Sequence, residues 1–569
     1  MSKKVTPAPS PAAKTATPIA PAGSHAPAMF TLKHPVMWLL AAVLLVYAPT
    51  FFFGLTELDD SIFIREFREY NEDITNLFTS FSRGLFDAVK DPYYRPLFMN
   101  SMIINFKLSG GGENIVVYHV VNVLFHALSV VLLFRLFLKL GIRELHSFLL
   151  ALVFAVHPVI SQAVAWIPGR NDTLLAIFIF SFLIFSINYT KEGNVKDLIW
   201  SQLFLLLAYF TKETAVFAAP VALVLQVLAL KSKLTDKRLH IQLGLWALCF
   251  AIWYAARAAA TTQASVSSGQ MLSDFFRRLP LIVQYLGKIF IPVNLSVFPI
   301  QHDTVYHYGI TAIVLLAAII MLSKRKDLSI VLAGALVFLL FLLPALIVPQ
   351  KLNEQSFEHR LYLPLAGILL LLSQTSLLQN KLNDKQLFGA GAVICGLFAV
   401  LNYMHQANFK DPLSFWSQAA ATSPNSAYAN MMLGARIPND AERSAELFRK
   451  AYKLNPKEKY INYYYAEMLL KKDSVLAAEK YLLEEKKISN YYQCDFYLAR
   501  VAMVKQDRTG AIGYLKSYLQ RDPANSMANN NLLLLYGELQ QADSARAHIR
   551  NMRQQGIEVP APLLKQLGM

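Results

Sequence analysis

The chain has 569 residues, 55% of them hydrophobic and only 16% charged, with a mean hydropathy of +0.36. A soluble globular chain carries about a quarter charged residues, so this composition excludes an ordinary soluble domain and indicates a polytopic membrane protein. The formal net charge of +16 does not point to nucleic acid, because much of the basic excess lies in short clusters between apolar runs, as membrane proteins place it.

Residues 1–28 are rich in Pro, Ala, Ser and Thr and lack acidic side chains. They cannot bury enough apolar surface to offset their ordering entropy and are expected to form a disordered cytoplasmic tail. No charged n-region stands directly before a short apolar stretch with a cleavage site, so a secretory signal is not expected. The first span is expected from about Pro35 to Phe53. Lys3, Lys4, Lys14 and Lys33 before it hold the amino terminus inside, so Leu58-Asp59-Asp60-Ser61 emerges on the outer face. Residues 54–114 then make a first outer loop. Its apolar positions Ile62, Phe63, Phe67, Ile74, Leu77, Phe78 and Phe81 suggest short amphipathic helices on the membrane surface. Asp91-Pro92-Tyr93-Tyr94-Arg95-Pro96-Leu97 closes it as a proline-stiffened turn.

Further spans are expected near 115–138, 144–165, 172–189, 197–211, 213–230, 239–257, 309–322, 328–347, 361–378 and 386–404, about eleven with the first. The links at 139–143, 191–196, 231–238, 324–326 and 381–385 fall inside, and all carry Lys or Arg. Residues 258–308 stay outside, with 279–299 dipping into the interface. Beyond about residue 409 the chain is outside and polar. There Ser423-Pro424, Asn455-Pro456 and Asp522-Pro523 are spaced near 33 and twice 33, with Ala477-Ala478/Tyr481 and Gly510-Ala511/Tyr514 between them. That period resembles tetratricopeptide repeats, whose unit is about 34 residues. Cys249 and Cys395 lie in apolar runs and Cys494 in the polar tail, with no metal-ligand spacing and no disulfide framework expected.

This topology gathers the informative polar residues on one side. Asp59 and Asp60 are adjacent carboxylates that raise each other's pKa; their plain structural reading is a solvated turn capping the next helix. His157 ends an apolar run, where it can simply cap a helix. Asn171 or Asp172 can cap the next one after Gly169-Arg170. Lys212-Glu213 interrupts two apolar runs without a loop, a costly position occupied either by functional residues or by an internal ion pair. Glu358-His359-Arg360 opens another span, where Arg360 can snorkel. Together, an acidic pair faces Arg95, Arg170, Lys212, His359 and Arg360. A base beside a cluster of cations suits transfer from a lipid-phosphate donor: the carboxylate takes the acceptor's proton while the cations stabilise the departing phosphate. The same cluster could bind a transported anion.

In their order along the chain, these residues resemble the membrane protein O-mannosyltransferases that carry tetratricopeptide repeats, within the polyprenyl-phosphate-dependent C-type glycosyltransferases. The likeness runs from Asp59-Asp60 through Tyr94-Arg95-Pro96-Leu97, Tyr118-His119 with Asn122 and His126, His157-Pro158, Ala163-Val164, Gly169-Arg170 with Asp172, and Lys212-Glu213 to Arg360-Leu361-Tyr362-Leu363-Pro364 and the repeats. It implies an all-α polytopic bundle over residues 29–408 with a catalytic outer loop at 54–114, and a periplasmic tetratricopeptide-repeat solenoid over 409–569. It implies a polyprenyl-phosphate-linked, mannose-like donor, Ser or Thr hydroxyls of exported polypeptides as acceptors, and inversion at the sugar. One of Asp59 and Asp60 would be the base, Asp60 being slightly preferred. Arg95, Lys212 and Arg360 would contact donor phosphate. Tyr94, His157, Arg170, Asp172, Glu213 and His359 would shape the pocket, and the repeats would hold the acceptor. No cofactor or metal is expected; Mg or Mn would enter with a lipid-pyrophosphate donor, on oxygen ligands.

Trp166 and Asn171 stand where smaller residues are common in that family, the 73–94 segment is extended, and the repeats are few. These departures favour a bacterial inner-membrane protein over one of the endoplasmic reticulum. Asn171-Asp172-Thr173 formally matches a glycosylation sequence. The rival readings are an oligosaccharyltransferase using a lipid pyrophosphate, a transferase acting on lipid or glycan acceptors, and a non-catalytic scaffold or transporter with a partner-binding tail.

Overall fold

The computed structural model describes residues 33–86, 92–261, 268–324, 326–347, 355–379 and 382–566; the expected amino-terminal tail lies outside them. The chain is all-helical, and among the described residues its only bridge of strand type pairs Ile300 with Gln355. Every expected apolar span coincides with a helix. Among the described residues, six are long and apolar enough to cross a membrane unaided: Pro35–Phe52, Ile115–Lys139, Ile167–Glu192, Lys237–Ala260, Leu328–Ile347 and Asp384–Phe409. Phe52 and Leu45, 90% and 81% exposed, are the kind of side chain that only lipid can cover.

The remaining apolar runs are shorter or broken, for identifiable reasons. Glu144–Val156 and Pro158–Ala165 together reach spanning length but bend by 50°, because Pro158 has no N–H to continue the ladder. His157 stabilises the break. Its Nδ1 accepts from the Val159 N–H at 3.2 Å and its Nε2 donates to the Ile289 carbonyl at 2.9 Å. Residues 213–229 pass through a 3-10 turn, an α-helix and a π turn. Val195–Tyr209, His307–Leu322 and Tyr362–Leu372 have 15, 16 and 11 residues.

Close packing comes from small residues and buried hydrogen bonds. Leu328–Ile347 and Tyr362–Leu372 meet at Gly334 and Gly367, where a Cβ on Gly367 would stand 2.4 Å from the Phe338 nitrogen. Asn122, on Ile115–Lys139, donates to the carbonyls of Val164, Trp166 and Ile167 at 3.1–3.2 Å. It thereby satisfies the irregular backbone between Ser161–Ala165 and Arg170–Glu192, as backbone buried at membrane depth requires. His126 bonds the Tyr362 hydroxyl at 2.6 Å and the Ala155 carbonyl at 3.0 Å.

Beyond residue 411, helices Pro412–Thr422, Ala427–Gly434, Ala441–Leu454, Ile461–Lys471, Val475–Ser489, Gln493–Val504, Arg508–Leu519, Ser526–Glu538 and Ala542–Gln554 follow one another in a stack, each packed on the next. Asp411, Ser426, Asp440, Asp507 and Asn525 cap their helices through side-chain oxygens. The stack is seated on the segments around Gly54 and residues 295–300. The Gly54 N–H donates to the Lys410 carbonyl at 2.8 Å, and Gln418 both accepts from the Val297 N–H and donates to the Leu295 carbonyl, at 2.9 and 3.0 Å. Trp416, fully buried, fills the seam against Phe298, Phe415 and Tyr428.

Candidate active site

The turn after the first span decides which carboxylate is presented. Asp60 is 1% exposed and turned back into its own turn. Its Oδ2 accepts from the Thr56 N–H at 2.6 Å and the Thr56 hydroxyl at 2.9 Å, and its Oδ1 accepts from the Ser61 N–H at 2.9 Å. Asp59 lines a cavity of about 540 Å³ instead. Burial, then the neighbouring Asp60 charge, push its carboxyl up to about 6 against the opposing pull of Arg95. Of the two, Asp59 faces the cavity, and Asp60, the slightly preferred candidate for the base, is a hydrogen-bonded residue of the turn outside the cavity lining.

Arg95, Asp172, Lys212, Glu213, His359 and Arg360 line the same cavity. Arg95 precedes Pro96–Leu108, and its segment is pinned to the break after Val195–Tyr209 by the Leu97 N–H on the Phe210 carbonyl at 3.1 Å. Glu213 grips it there, Oε1 taking the Tyr94 N–H at 3.0 Å and Oε2 the Arg95 guanidinium at 2.9–3.0 Å. Asp172 stands in the first turn of Arg170–Glu192, where the helix dipole favours an anion; its Oδ1 holds Lys212 Nζ at 2.7 Å. Gly169 lets that first turn approach: a Cβ there would lie 2.5 Å from the Gln162 carbonyl oxygen. The His359 Nδ1 lies 3.1 Å from Gln162 Oε1. Burial and the nearby Lys212, Arg360 and Arg95 hold its imidazole well below the ordinary value, hence neutral. Arg360 donates to the Gln355 carbonyl at 3.0 Å.

Tyr94, His157 and Arg170 do not line the cavity, contrary to their expected pocket-shaping contact; each acts from behind it. The Tyr94 hydroxyl donates to the Phe81 carbonyl at 2.7 Å. Arg170, wholly buried, donates to the Tyr118 carbonyl at 2.9 Å and lies over the Tyr118 ring. Sequence reading missed Arg257. It lines the cavity from the end of Lys237–Ala260 and donates to the Pro92 carbonyl at 2.9 Å. Its signal was available: a cation at the expected outer end of a span runs against the positive-inside bias. Among the described residues, Arg257 and Arg360 face the cavity without a carboxylate partner, whereas Arg95 and Lys212 have one each. Phe217, Phe341, Pro344, Ile347, Leu363 and Pro364 form an apolar wall. Among the described residues, no three His, Cys, Asp or Glu side chains are placed to hold a metal ion.

The site is thus a half-apolar cavity in an all-helical membrane bundle, lined by the carboxylates Asp59, Asp172 and Glu213 and the cationic side chains Arg95, Lys212, Arg257 and Arg360. Residues 95–255 match the dolichyl-phosphate-mannose-protein mannosyltransferase family. The chain is 25% identical over 389 residues to protein O-mannosyl-transferase F38B6.6 of Caenorhabditis elegans, covering 64% of this chain and 54% of that protein. It is 39% identical over 138 residues to human protein O-mannosyl-transferase TMTC4, covering 21% and 18% of the two chains, and 35% identical over 153 residues to mouse TMTC1, covering 25% and 16%. The alignments thus span about half of the worm relative and less than a fifth of the mammalian ones. They bear out the resemblance to membrane O-mannosyltransferases drawn from the sequence.

Proposed function

We propose that the chain is an inverting glycosyltransferase that moves a mannose-like sugar from a polyprenyl-phosphate donor to Ser or Thr hydroxyls of exported proteins. The observation that carries this reading is Asp59, a carboxylate with a raised pKa, in one cavity with an apolar wall and two guanidiniums, Arg257 and Arg360, that have no carboxylate partner among the described residues. In this scheme the lipid lies along Phe217, Phe341, Pro344 and Leu363 and enters sideways from the outer leaflet. The acceptor oxygen attacks the anomeric carbon as the carbon–oxygen bond to phosphate breaks. Asp59 takes the hydroxyl proton, and the lipid phosphate leaves against Arg257 and Arg360. The indole N–H of Trp166, buried in the lining without a hydrogen-bond partner among the described residues, is available to a sugar hydroxyl.

Charge favours a monophosphate donor. The lining holds four cationic side chains, Arg95, Lys212, Arg257 and Arg360, and three carboxylates, Asp59, Asp172 and Glu213. Two ion pairs consume two of each, which leaves two guanidiniums for one phosphate. A pyrophosphate would call for further charge, such as Mg or Mn. The helical stack over 409–569, read as tetratricopeptide repeats, would present the acceptor, and a bacterial inner membrane with the stack on the periplasmic side fits the composition.

The test is transfer of label from a panel of polyprenyl-phosphate and polyprenyl-pyrophosphate sugars to exported acceptor proteins, with and without chelator. The expected outcome is chelator-insensitive transfer of mannose from the monophosphate, abolished in Asp59→Asn. Transfer only from pyrophosphate, or transfer that survives Asp59→Asn, would overturn it.

A further inference from the structure

The stack does more than cover the outer face: it holds the segment that carries Asp59. Glu57, two residues before Asp59, has φ 55°, a left-handed conformation that costs a non-glycine residue on the order of 1 kcal/mol and persists only where its surroundings impose it. Asp60 holds the Glu57 backbone from within the turn, and a second hold comes from far along the sequence. Arg436, in the turn after Ala427–Gly434, places Nε and Nη2 at 3.1 and 3.0 Å from Glu57 Oε2. Arg436 is itself fixed. Nη1 donates to the Met432 carbonyl at 3.0 Å, and the guanidinium lies over the Trp416 ring at 5.6 Å. The Gly54 N–H on the Lys410 carbonyl clamps the other side of the same turn. Leu58 packs in one apolar cluster with Trp416, Tyr428 and Phe448 of the stack and with Trp166 and Phe357 of the cavity wall.

We propose that Arg436 is a positioning residue for Asp59, acting through Glu57. The stack is then part of the catalytic apparatus as well as a surface for the acceptor. This rests on the reading of Asp59 as the base.

The proposal has an electrostatic signature. Asp59 is faced by Asp60 from its own turn, by Tyr93 and Arg95 from the segment before Pro96–Leu108 and by Tyr428 from the stack, with Asp172, Lys212, Glu213, Arg257, His359 and Arg360 in the rest of the cavity. Glu57 stands two residues before Asp59, with Arg65 and Arg436 on its carboxylate. The Glu57 carboxylate is neutralised by Arg436; its second partner, Arg65, is 3.6 Å away and 64% exposed. Removing Arg436 releases a negative charge beside Asp59 and makes Asp59 harder to ionise. Removing Glu57 leaves an uncompensated positive charge and does the reverse.

The experiment is the pH profile of kcat/KM for mannosyl transfer by the full-length protein. Wild type, Arg436→Gln, Glu57→Gln, the double variant and Arg436→Lys are compared, with thermal midpoints measured alongside. The acid limb should rise by about half a unit in Arg436→Gln, fall by a similar amount in Glu57→Gln, and return close to wild type in the double variant. Arg436→Lys should keep the limb near wild type. If Arg436→Gln does not fold, the opposite shift of Glu57→Gln and its cancellation in the double variant still decide. Limbs that do not move, or that move in the same direction in both single variants, would overturn the coupling while leaving Asp59 as base. Absence of transfer by wild type from any donor would instead overturn the glycosyltransferase reading beneath it.

Discussion

Asp59 and Asp60 are chemically identical neighbours in different surroundings, and substitution should separate them. Asp60 accepts three hydrogen bonds in a buried turn. Asp60→Asn places an amide N–H₂ against donors and should cost about 1–3 kcal/mol, read as a lowered midpoint of unfolding in detergent. Asp59 holds its proton up to about pH 6 in the folded protein but only to about 3.8 otherwise. Its ionised form therefore costs stability above pH 6 and nothing below 4. Asp59→Asn should abolish transfer while raising stability at pH 7.5 by ~1–3 kcal/mol. The same value sets a pH dependence: transfer should fall as pH drops through about 6, where the carboxylate becomes protonated and cannot accept the hydroxyl proton. A rate flat between pH 5 and 8 would exclude Asp59 as the base. The sequence showed the acidic pair and most of the cations because each interrupts or ends an apolar run, where charge is conspicuous. It could not show which aspartate faces the cavity, since that depends on the Thr56 cap and the left-handed Glu57, and single-residue dihedrals leave no periodic trace.

At the scale of elements, hydropathy located the apolar helices but not their shapes, and among the described residues six of them are long and apolar enough to cross a membrane. A window average cannot register the 50° bend at His157 or the change of helix type through 213–229, since these follow from one proline, one capping ring and local tertiary contacts. Such breaks place the site: residues 157–169, 210–217 and 355–361 are coil, 3-10 turns or the five-residue helix Ser161–Ala165, and the cavity draws much of its lining from them. The short Glu358–Leu361 turn is fixed by charge. Glu358, fully buried, accepts from Lys288 Nζ at 2.7 Å and the Ser296 N–H at 2.8 Å, with His405 Nε2 at 3.4 Å. Burial pushes the Glu358 carboxyl up, but Lys288 and His405 outweigh it and hold the group below its ordinary value. Glu358→Gln leaves Lys288 buried and unpaired, and should destabilise the protein by about 3–5 kcal/mol. Because His359 and Arg360 follow directly, donor KM should rise as well. A variant with unchanged midpoint and unchanged KM would show the turn to be set by packing alone.

For the whole molecule, the joint between stack and membrane helices was the least legible feature. The period of the tail suggested repeating helix pairs, but docking depends on complementarity between Trp416, Phe298 and Tyr428, residues more than a hundred positions apart in part, with no shared pattern. Trp416→Ala should empty the centre of that seam and cost about 3–5 kcal/mol. A single lowered transition, with transfer lost in parallel, is the expected record in thermal unfolding followed by activity. A stack that melts separately while transfer persists would show the two parts to be independent.

The contact between Glu57 and Arg436 joins residues 379 positions apart, and that separation carries a consequence for biogenesis. A chain is delivered to the membrane from its amino terminus, so the carboxylate arrives among the first elements and its clamp among the later ones. Until residue 436 has emerged and folded, the turn bearing Asp59 lacks the partner that holds its conformation. The turn that carries Asp59 therefore gains its contact with Arg436 only after most of the chain has been made.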